Sequence, residues 1–561
     1  MVAGQKPPSE HMGSQVTGPE LVIGVVGAVD LDLGAVTDDL ARALREVNYD
    51  SRRIRLSDIL REVKVLDELK PEDDQDQDRA AFIDSHQNAG DKLRKETRHD
   101  ILSLLAIARI RATRKQATGP DNPDIALEGP DDLLTADHGD EDSQGELEPT
   151  VKELYRGLRQ PIPRTAFLLR SLKHPEEAKT LRDVYGSRFV LVSAHAIDDD
   201  TIDDFAAELA HSRSHAVRSI DRDEARRIAS RDDKDVENDS GQNVRETYPL
   251  GDFFLKVGDE GQSRSEISRF VELLFASPYQ TPLIQEFGMY TAYAASLRSA
   301  ALGRQVGAAI LDGEGAVVAV GTNEVPKAGG GQYWPGSYDK RDHKYEDGSD
   351  SSDTMRRAIL SEMLEHYGRF GISKPRLADG TEASIDDLVP ALKGTRVGNL
   401  VEFGRTVHAE MAAIADAARR GVSVHGCTLF TTTFPCHNCA RHIVAAGVSE
   451  VVFLEPYAKS MAIELHRDSI RVGGDGQSNK HIVFRQYAGV APRRYPELFT
   501  MVERKDNLGY RMSFKPERSL PRDVDLQPFY QYREWRAVAD ASRALRDAGI
   551  GVHDDFVDKA R

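Results

Sequence analysis

His408-Ala409-Glu410 and Pro435-Cys436-His437-Asn438-Cys439 place one imidazole, two thiols and one carboxylate in two short runs. Imidazole and thiolate suit Zn²⁺, and three protein ligands leave the fourth tetrahedral position open for a water. The metal draws the pKa of such a water toward neutrality, so a hydroxide nucleophile exists at working pH. His408, Cys436 and Cys439 are therefore read as the ligands. Glu410 is read as a carboxylate that moves protons without binding the metal. The chemistry these residue types and spacings allow is metal-assisted hydrolysis.

The flanking residues say which elements must hold the set. Ala409 to Arg420 is alanine-rich with apolar residues at helical intervals, and Gly421 is a stop signal, so His408 and Glu410 sit at a helix start. Cys427 to Thr433 is rich in β-formers, Pro435 marks a helix N-terminus, and Cys439 to Ala446 continues helically. Cys436 and Cys439 are three apart, which puts both thiols on one face of the first turn. A helix N-terminus favours the thiolate, the metal-binding form. Cys427, the third of three cysteines, lies in the expected strand and is read as a buried core thiol.

A Cys-x-x-Cys pair alone also fits a redox pair, and the three ligands alone also fit a structural zinc site. Joined to His-x-Glu, with Pro435 before the first thiol, the set has the signature of zinc-dependent nucleobase deaminases. The surroundings narrow the resemblance. Ser299-Ala-Ala-Leu-Gly-Arg-Gln-Val-Gly-Ala-Ala309, followed by Gly321-Thr322-Asn323, resembles the opening of the deoxycytidylate deaminases. There an Arg-Ser pair precedes Val-Gly-Ala and a Gly-x-Asn follows. Phe434 to Arg441, then Ile443 and Ala446-Gly447-Val448, look like the same family; tRNA adenosine deaminases usually carry Glu where this chain has Phe434. The resemblance covers roughly residues 286–500. It implies that Asn323 contacts the sugar on its 3′ side and that Ser299 and Arg304 lie near a 5′-phosphate. The chain departs from the family at Ala412, where Asn is frequent, and at Ala301, where some members have a cysteine for a second zinc. The long interval from Asn323 to His408 holds Gly329-Gly330-Gly331, the charged run Asp339 to Asp353 and an expected helix at 355–367. An insertion over about 329–400 is expected, as a lid or interface element or as a solvated loop.

At 561 residues the chain has length for roughly three to four domain-sized units, or two larger ones. It lacks a run of twenty apolar residues and a signal-peptide pattern, which argues for a protein that neither spans a membrane nor is secreted. The few cysteines point to a reducing cytoplasm. A net charge of −18 argues against a polynucleotide substrate, whose binding rests on clustered Lys and Arg. Residues 1–18 read as a disordered tail.

The front of the chain is a different object. Leu21 to Gly27 is a buried-strand pattern, followed by a loop and an expected helix at 37–47. Buried strands are also expected at 165–169, 189–192 and 252–255, with helices at 92–116 and 176–185 between them. Strands spaced by helices imply a mainly parallel sheet. Residues 19–255 resemble P-loop kinase-like domains, with Arg222–Asp233 where such kinases carry a lid. Gly241 to Arg245 and Asp252 also look kinase-like. Gly24 and Gly27 are the candidate nucleotide-binding residues. The loop is degenerate: the Gly-Lys-Ser/Thr positions hold Asp32, Leu33 and Gly34, and Asp30 and Asp32 would repel phosphate. The fold class expected is thus α/β, a P-loop kinase-like parallel-sheet domain followed by a three-layer α/β/α cytidine-deaminase-like domain. Residues 118–150 read as a flexible acidic insertion, 256–285 as a linker, and 501–561 as a C-terminal extension with a helix at 533–547. That extension is expected to pack on the deaminase or to form an oligomer contact.

The pairing of these two domains resembles the bacterial anti-phage deoxycytidylate deaminases. It implies Zn²⁺ as cofactor and free deoxycytidine nucleotides, dCMP or dCTP, as substrates. It further implies a homo-oligomer, a deoxynucleoside triphosphate effector and a regulatory partner at the front domain. A housekeeping dCMP deaminase, a polynucleotide cytidine deaminase and an idle nucleotide sensor are the alternatives.

Overall fold

The computed structural model describes residues 18–551 except 64–68, 70–77, 119–160, 197–200, 234, 236–237, 239, 259, 337, 346–347, 372, 393–394, 401, 458–459, 474–479, 523 and 525–529. The expected tail, save Gly18, and the acidic insertion, save Thr118, lie outside the described residues.

Two six-stranded sheets form the frame. The first takes β1 (Leu21–Val26), β2 (Asp50–Arg55), β3 (Thr165–Leu172), β4 (Phe189–Ala196) and β5 (Phe253–Val257). The second takes β6 (Gly307–Leu311), β7 (Val317–Thr322), β8 (Thr428–Thr433), β9 (Glu450–Glu455), β10 (Ile470–Val472) and β11 (Ile482–Gln486). The last strand, β12 (Gly489–Val490), returns to the first sheet and pairs antiparallel with β5. The first sheet runs β2-β3-β1-β4-β5-β12, parallel from β2 to β5. The second runs β10-β11-β9-β8-β6-β7, parallel from β10 to β8 and antiparallel at β6 and β7.

β1 is buried at every position, as a central strand covered on both faces must be. Val22 and Val26 enter one core, and Leu21, Ile23 and Val25 enter the other. The helix after β1 spans Leu33–Glu46, four residues longer at its start than expected, because the Asp32 carboxylate caps it by accepting from Ala35 N at 3.0 Å. The helix expected at 92–116 is two, Arg79–Glu96 and Ile101–Thr118. Thr97 leaves helical geometry at φ −121°, ψ −92°, and its hydroxyl donates back to Leu93 O. Residues 256–285, expected as a linker, carry a helix, Glu260–Leu274, whose Ile267, Phe270, Val271 and Leu274 join the first domain's core.

The C-terminal helix Tyr530–Asp547 also packs on the first domain. Its Val538, Ala541 and Leu545 share a core with Leu104, Ile107 and Leu181. Arg114, fully buried, forks onto Glu20 and Glu534 at 2.8–3.1 Å and holds this helix in register. The expected packing on the deaminase is therefore not what this segment does.

The second sheet is covered on both faces. Ala409, Ala413 and Ala417 of helix Ala409–Arg420, and Cys439, Ala440 and Ile443 of helix His437–Ala446, meet Ile310, Leu429 and Val451. Met289 and Ala292 of helix Ile284–Ser296 meet Ala309, Phe430 and Val452 on the other face. This is an α/β/α sandwich. Two glycines let helices touch strands directly. A Cβ on Gly321 of β7 would lie 2.0 Å from Ala409 O, and one on Gly307 of β6 would lie 1.9 Å from Ala292 O.

His195 at the end of β4 accepts from the Tyr248 hydroxyl or donates to it at 2.8 Å, beside Lys256 and Arg485. Burial, with those two cations, pushes its pKa from 6.5 to about 3. Burial also lowers His86 and His174. Below about 6.5 the unfolded chain takes up protons that the folded chain refuses. Stability is therefore full above that pH and declines as pH falls toward 3. Urea titrations at pH 7.5, 6 and 5 are expected to show this loss, with a shallower decline in His195→Asn; an unchanged slope would place the dependence elsewhere.

Candidate zinc centre

His408 and Cys436 hold equivalent positions. Each immediately precedes a helix, and neither side chain caps it. Both turn toward each other. Cys436 Sγ lies 3.2 Å from His408 Nδ1 and Cys439 Sγ lies 3.4 Å from it. One ligand atom from each of the three residues falls within 4.8 Å of the others, the only such group of three or more His, Cys, Asp or Glu among the described residues. Cys427 stands apart as a buried thiol in the same core.

The two runs are fixed by separate means. Val407 pairs with Glu324 through hydrogen bonds of 3.2 and 3.3 Å, which sets the approach to His408. Phe434 N donates to Glu455 O at 2.8 Å, and Ser460 Oγ donates to Pro435 O at 2.7 Å, which sets the turn into Cys436. Gly421 and Gly447 end the two helices in the left-handed region, at φ 72° and 74°.

Glu410 is buried in the first turn behind His408. The Cys439 thiol donates to its Oε2 at 3.3 Å, and the Thr431 hydroxyl donates to its Oε1 at 3.4 Å. Burial raises its pKa above the usual carboxylate range, against the pull of His408. A hydrogen bond from Cys439, and then His408, bring Cys436 down to about 4, while Cys439 is pushed up by that same bond and by burial. His408 is raised by its hydrogen bond with Cys436. The cluster without an ion thus holds one thiolate readily and a second poorly. A divalent cation deprotonates a coordinating thiol outright, so this donor set fits Zn²⁺.

The loop before β6, which carries Ser299 and Arg304, meets Asn323 just after β7. Asn323 Oδ1 accepts from Val306 N at 2.7 Å and its Nδ2 donates to Arg304 O at 2.6 Å. Ser299 Oγ donates to Asn323 O at 2.8 Å and accepts from Ala301 N at 3.2 Å. Arg304 is 65% exposed, with Glu455 Oε2 3.6 Å away. Gly24 lies inside β1, where a Cβ would meet the Leu172 side chain at 2.5 Å, so its bareness serves packing. Gly27 opens the loop after β1, and its carbonyl accepts from Lys173 Nζ at 2.8 Å.

Four residues around the centre escaped the sequence reading. Glu324 is buried and accepts from Ala300 N at 3.0 Å and from Val325 N at 2.8 Å. Thr431 meets Glu410, Glu455 meets Arg304, and Tyr457 lies near both Cys436 and Arg304. Their only signal was adjacency to a motif: Glu324 follows Asn323, and Glu455 pairs across from Thr433.

The family described as "Cytidine and deoxycytidylate deaminase zinc-binding region" matches residues 284–455. These residues form a domain of that kind, and its cofactor is Zn²⁺. The deoxycytidylate deaminase of Enterobacteria phage T2 is 43% identical over 54 residues, 10% of this chain and 29% of its own. That of Mus musculus is 28% identical over 133 residues, 24% of this chain and 66% of its own. The chain thus spans under two thirds of the length of these curated relatives. A crystal structure of dCMP deaminase from the cyanophage S-TIM5 aligns over 37% of this chain and 99% of its own, at 18% identity and a TM-score of 0.20.

Replacing Cys436 with Ser is expected to abolish zinc retention and to lower the melting temperature, since zinc affinity is in part folding free energy. Metal analysis of the purified variant checks this; a full zinc complement would remove Cys436 from the ligand set.

Proposed function

We propose that the chain hydrolyses the 4-amino group of free deoxycytidine nucleotides, releasing ammonia and the deoxyuridine nucleotide. The observation that carries this reading is a buried carboxylate, Glu410, packed against a His-Cys-Cys donor set within a matched deaminase region. His408, Cys436 and Cys439 hold the ion. Zn²⁺, when bound, supplies Lewis acidity that draws the pKa of a coordinated water toward neutrality.

Glu410 does the proton work. Burial raises its pKa, which suits a carboxylate that must take up a proton and give it away again. It takes the proton that the attacking water gives up and passes it to ring N3. It then takes the proton of the hydroxyl newly formed on C4 and gives it to the departing amino nitrogen, so that the carbonyl forms as ammonia leaves.

Asn323 retains one N–H and one lone pair after its two backbone bonds, enough to meet the sugar on its 3′ side. Ser299 ties the loop and presents Arg304, whose exposed guanidinium suits a 5′-phosphate. The β2-β3-β1-β4-β5 order and the strand, loop and helix that open the front domain support reading it as kinase-like. Its role is regulation of a cytoplasmic homo-oligomer that answers to a deoxynucleoside triphosphate or to a partner. Depletion of dCMP and dCTP during phage infection is the physiological setting this pairing favours over thymidylate supply.

Glu410→Gln is expected to keep its zinc and to lose about 10²- to 10⁴-fold in kcat for ammonia release from dCMP. Near-normal turnover would sink the assignment. Arg304→Ala is expected to lower kcat/KM about tenfold or more on dCMP and little on deoxycytidine. Equal losses on both would make Arg304 a structural residue.

A further inference from the structure

Glu324 is a carboxylate that the proton transfers do not use, and it is 1% exposed. A charged group is buried only where partners repay its lost hydration. Its Oε2 accepts from Ala300 N at 3.0 Å, and its Oε1 accepts from Val325 N at 2.8 Å. The buried Arg341 guanidinium stands 4.0 Å from Oε2 while it forks onto Asp339 at 2.7–2.9 Å. Arg298 brings a second positive charge to the same place. Burial lowers its pKa, Glu324 pulls the other way, and Arg341 adds to the lowering.

The same residue joins two runs that the reaction needs side by side. Its backbone exchanges hydrogen bonds of 3.2 and 3.3 Å with Val407, the residue before His408. Its side chain holds Ala300, the residue after Ser299, in the loop that continues to Arg304. One residue thus fixes the approach to the metal with its main chain and the loop of Arg304 with its carboxylate. An amide would not serve as well. Glutamine has the same length but a single oxygen, so its NH2 would confront one of the two N–H groups that Glu324 accepts. The inserted residues 329–400 brace this joint. Arg341 belongs to them, as does Gln332, whose Nε2 donates to Glu324 O at 3.2 Å. Arg298 reaches them through Tyr333 O at 2.8 Å and lies 3.9 Å from the centre of the Trp334 ring.

We propose that Glu324 is a positioning residue for the deamination: it sets the span from the zinc-ligand run to the loop that carries Arg304, and through that span the preference for a 5′-phosphorylated substrate. It acts through Ala300 and Val407 and not on the substrate itself. A displacement of about 1 Å at such a joint is enough to cost a bound group its partner. The inference rests on the reading of the reaction and of Arg304 given above.

Steady-state kinetics of the full-length, zinc-loaded protein on dCMP and on deoxycytidine test it, with zinc content measured on each variant. Glu324→Gln is expected to keep its zinc, to raise KM for dCMP about tenfold or more with a smaller change in kcat, and to lower the ratio of kcat/KM on dCMP to that on deoxycytidine about tenfold. In the double variant with Arg304→Ala the two losses on dCMP are expected not to multiply, because both act on one contact. Glu324→Asp keeps the charge and shortens the reach to Ala300 N, and it takes the place of the glutamine variant should that one unfold or lose its zinc. Equal losses on both substrates, or losses that multiply with those of Arg304→Ala, would make Glu324 a structural residue and overturn the proposal. A zinc-loaded wild type inert on both substrates would instead overturn the reading of the reaction, and this proposal with it.

Discussion

The site depends on one constraint: two helix N-termini must meet at one end of the second sheet, close enough for residues 28 apart in sequence to share an ion. Helix Ala409–Arg420 reaches this position only because Gly321 offers it bare backbone and because Ala409, Ala413 and Ala417 present a thin face. A larger residue at any of these points would lift His408 and Glu410 off the thiols together. Helix His437–Ala446 is set by β8 on one side and by the aromatic packing of Phe434 against Phe453 and Phe484. The ion is then bound by end groups of two rigid rods, which is a stiffer arrangement than a loop would give.

Electrostatics explains why the metal is part of the fold. Three groups that can carry negative charge, the thiols of Cys436 and Cys439 and the carboxyl of Glu410, are buried together, with Cys439 in contact with Glu410. Without an ion the cluster avoids this by keeping protons: Cys439 is raised, and so is Glu410. A divalent cation takes the place of the thiol proton. The burial that raises Glu410 is thus the same burial that makes the cluster reluctant to ionise without an ion.

The His408, Cys436 and Cys439 group was the most legible, because metal-ligand types at short spacing have few other uses. Helix Ala409–Arg420 and strand β8 followed from alanine periodicity and β-branched composition, and the structure places them within a residue of the expected bounds. What stayed hidden depends on contacts distant in sequence. The break at Thr97 carries no Gly or Pro; it comes from a side chain returning to Leu93 O. Glu324 looks like a loop carboxylate and is a buried acceptor for two backbone N–H groups. Lys173 lies 146 positions from Gly27, so no loop pattern could reveal that its ammonium bonds to Gly27 O.

The two halves are joined by more than chain continuity. β12 comes from the segment after β11 and completes the first sheet, with Ala491 N donating to Asp252 O. Burial alone would raise Asp252, but Arg493, Arg182 and Arg494 overrule it and hold it low, so residues from both halves share one charge cluster. Val490 N donates to buried Glu286, which Arg269 clamps from the first domain's side at 2.7–2.9 Å. Glu286 opens helix Ile284–Ser296, the helix that rests on Gly307 and runs into Ser299. An unbroken series of packed and hydrogen-bonded contacts thus leads from the edge of the first sheet to the loop that presents Arg304. Coupling between distant sites requires such continuity together with two arrangements of the elements that carry it. The rigidity of the Glu286 anchor means that any second arrangement must move helix Ile284–Ser296 as a unit, and with it the loop from Ser299 to Arg304.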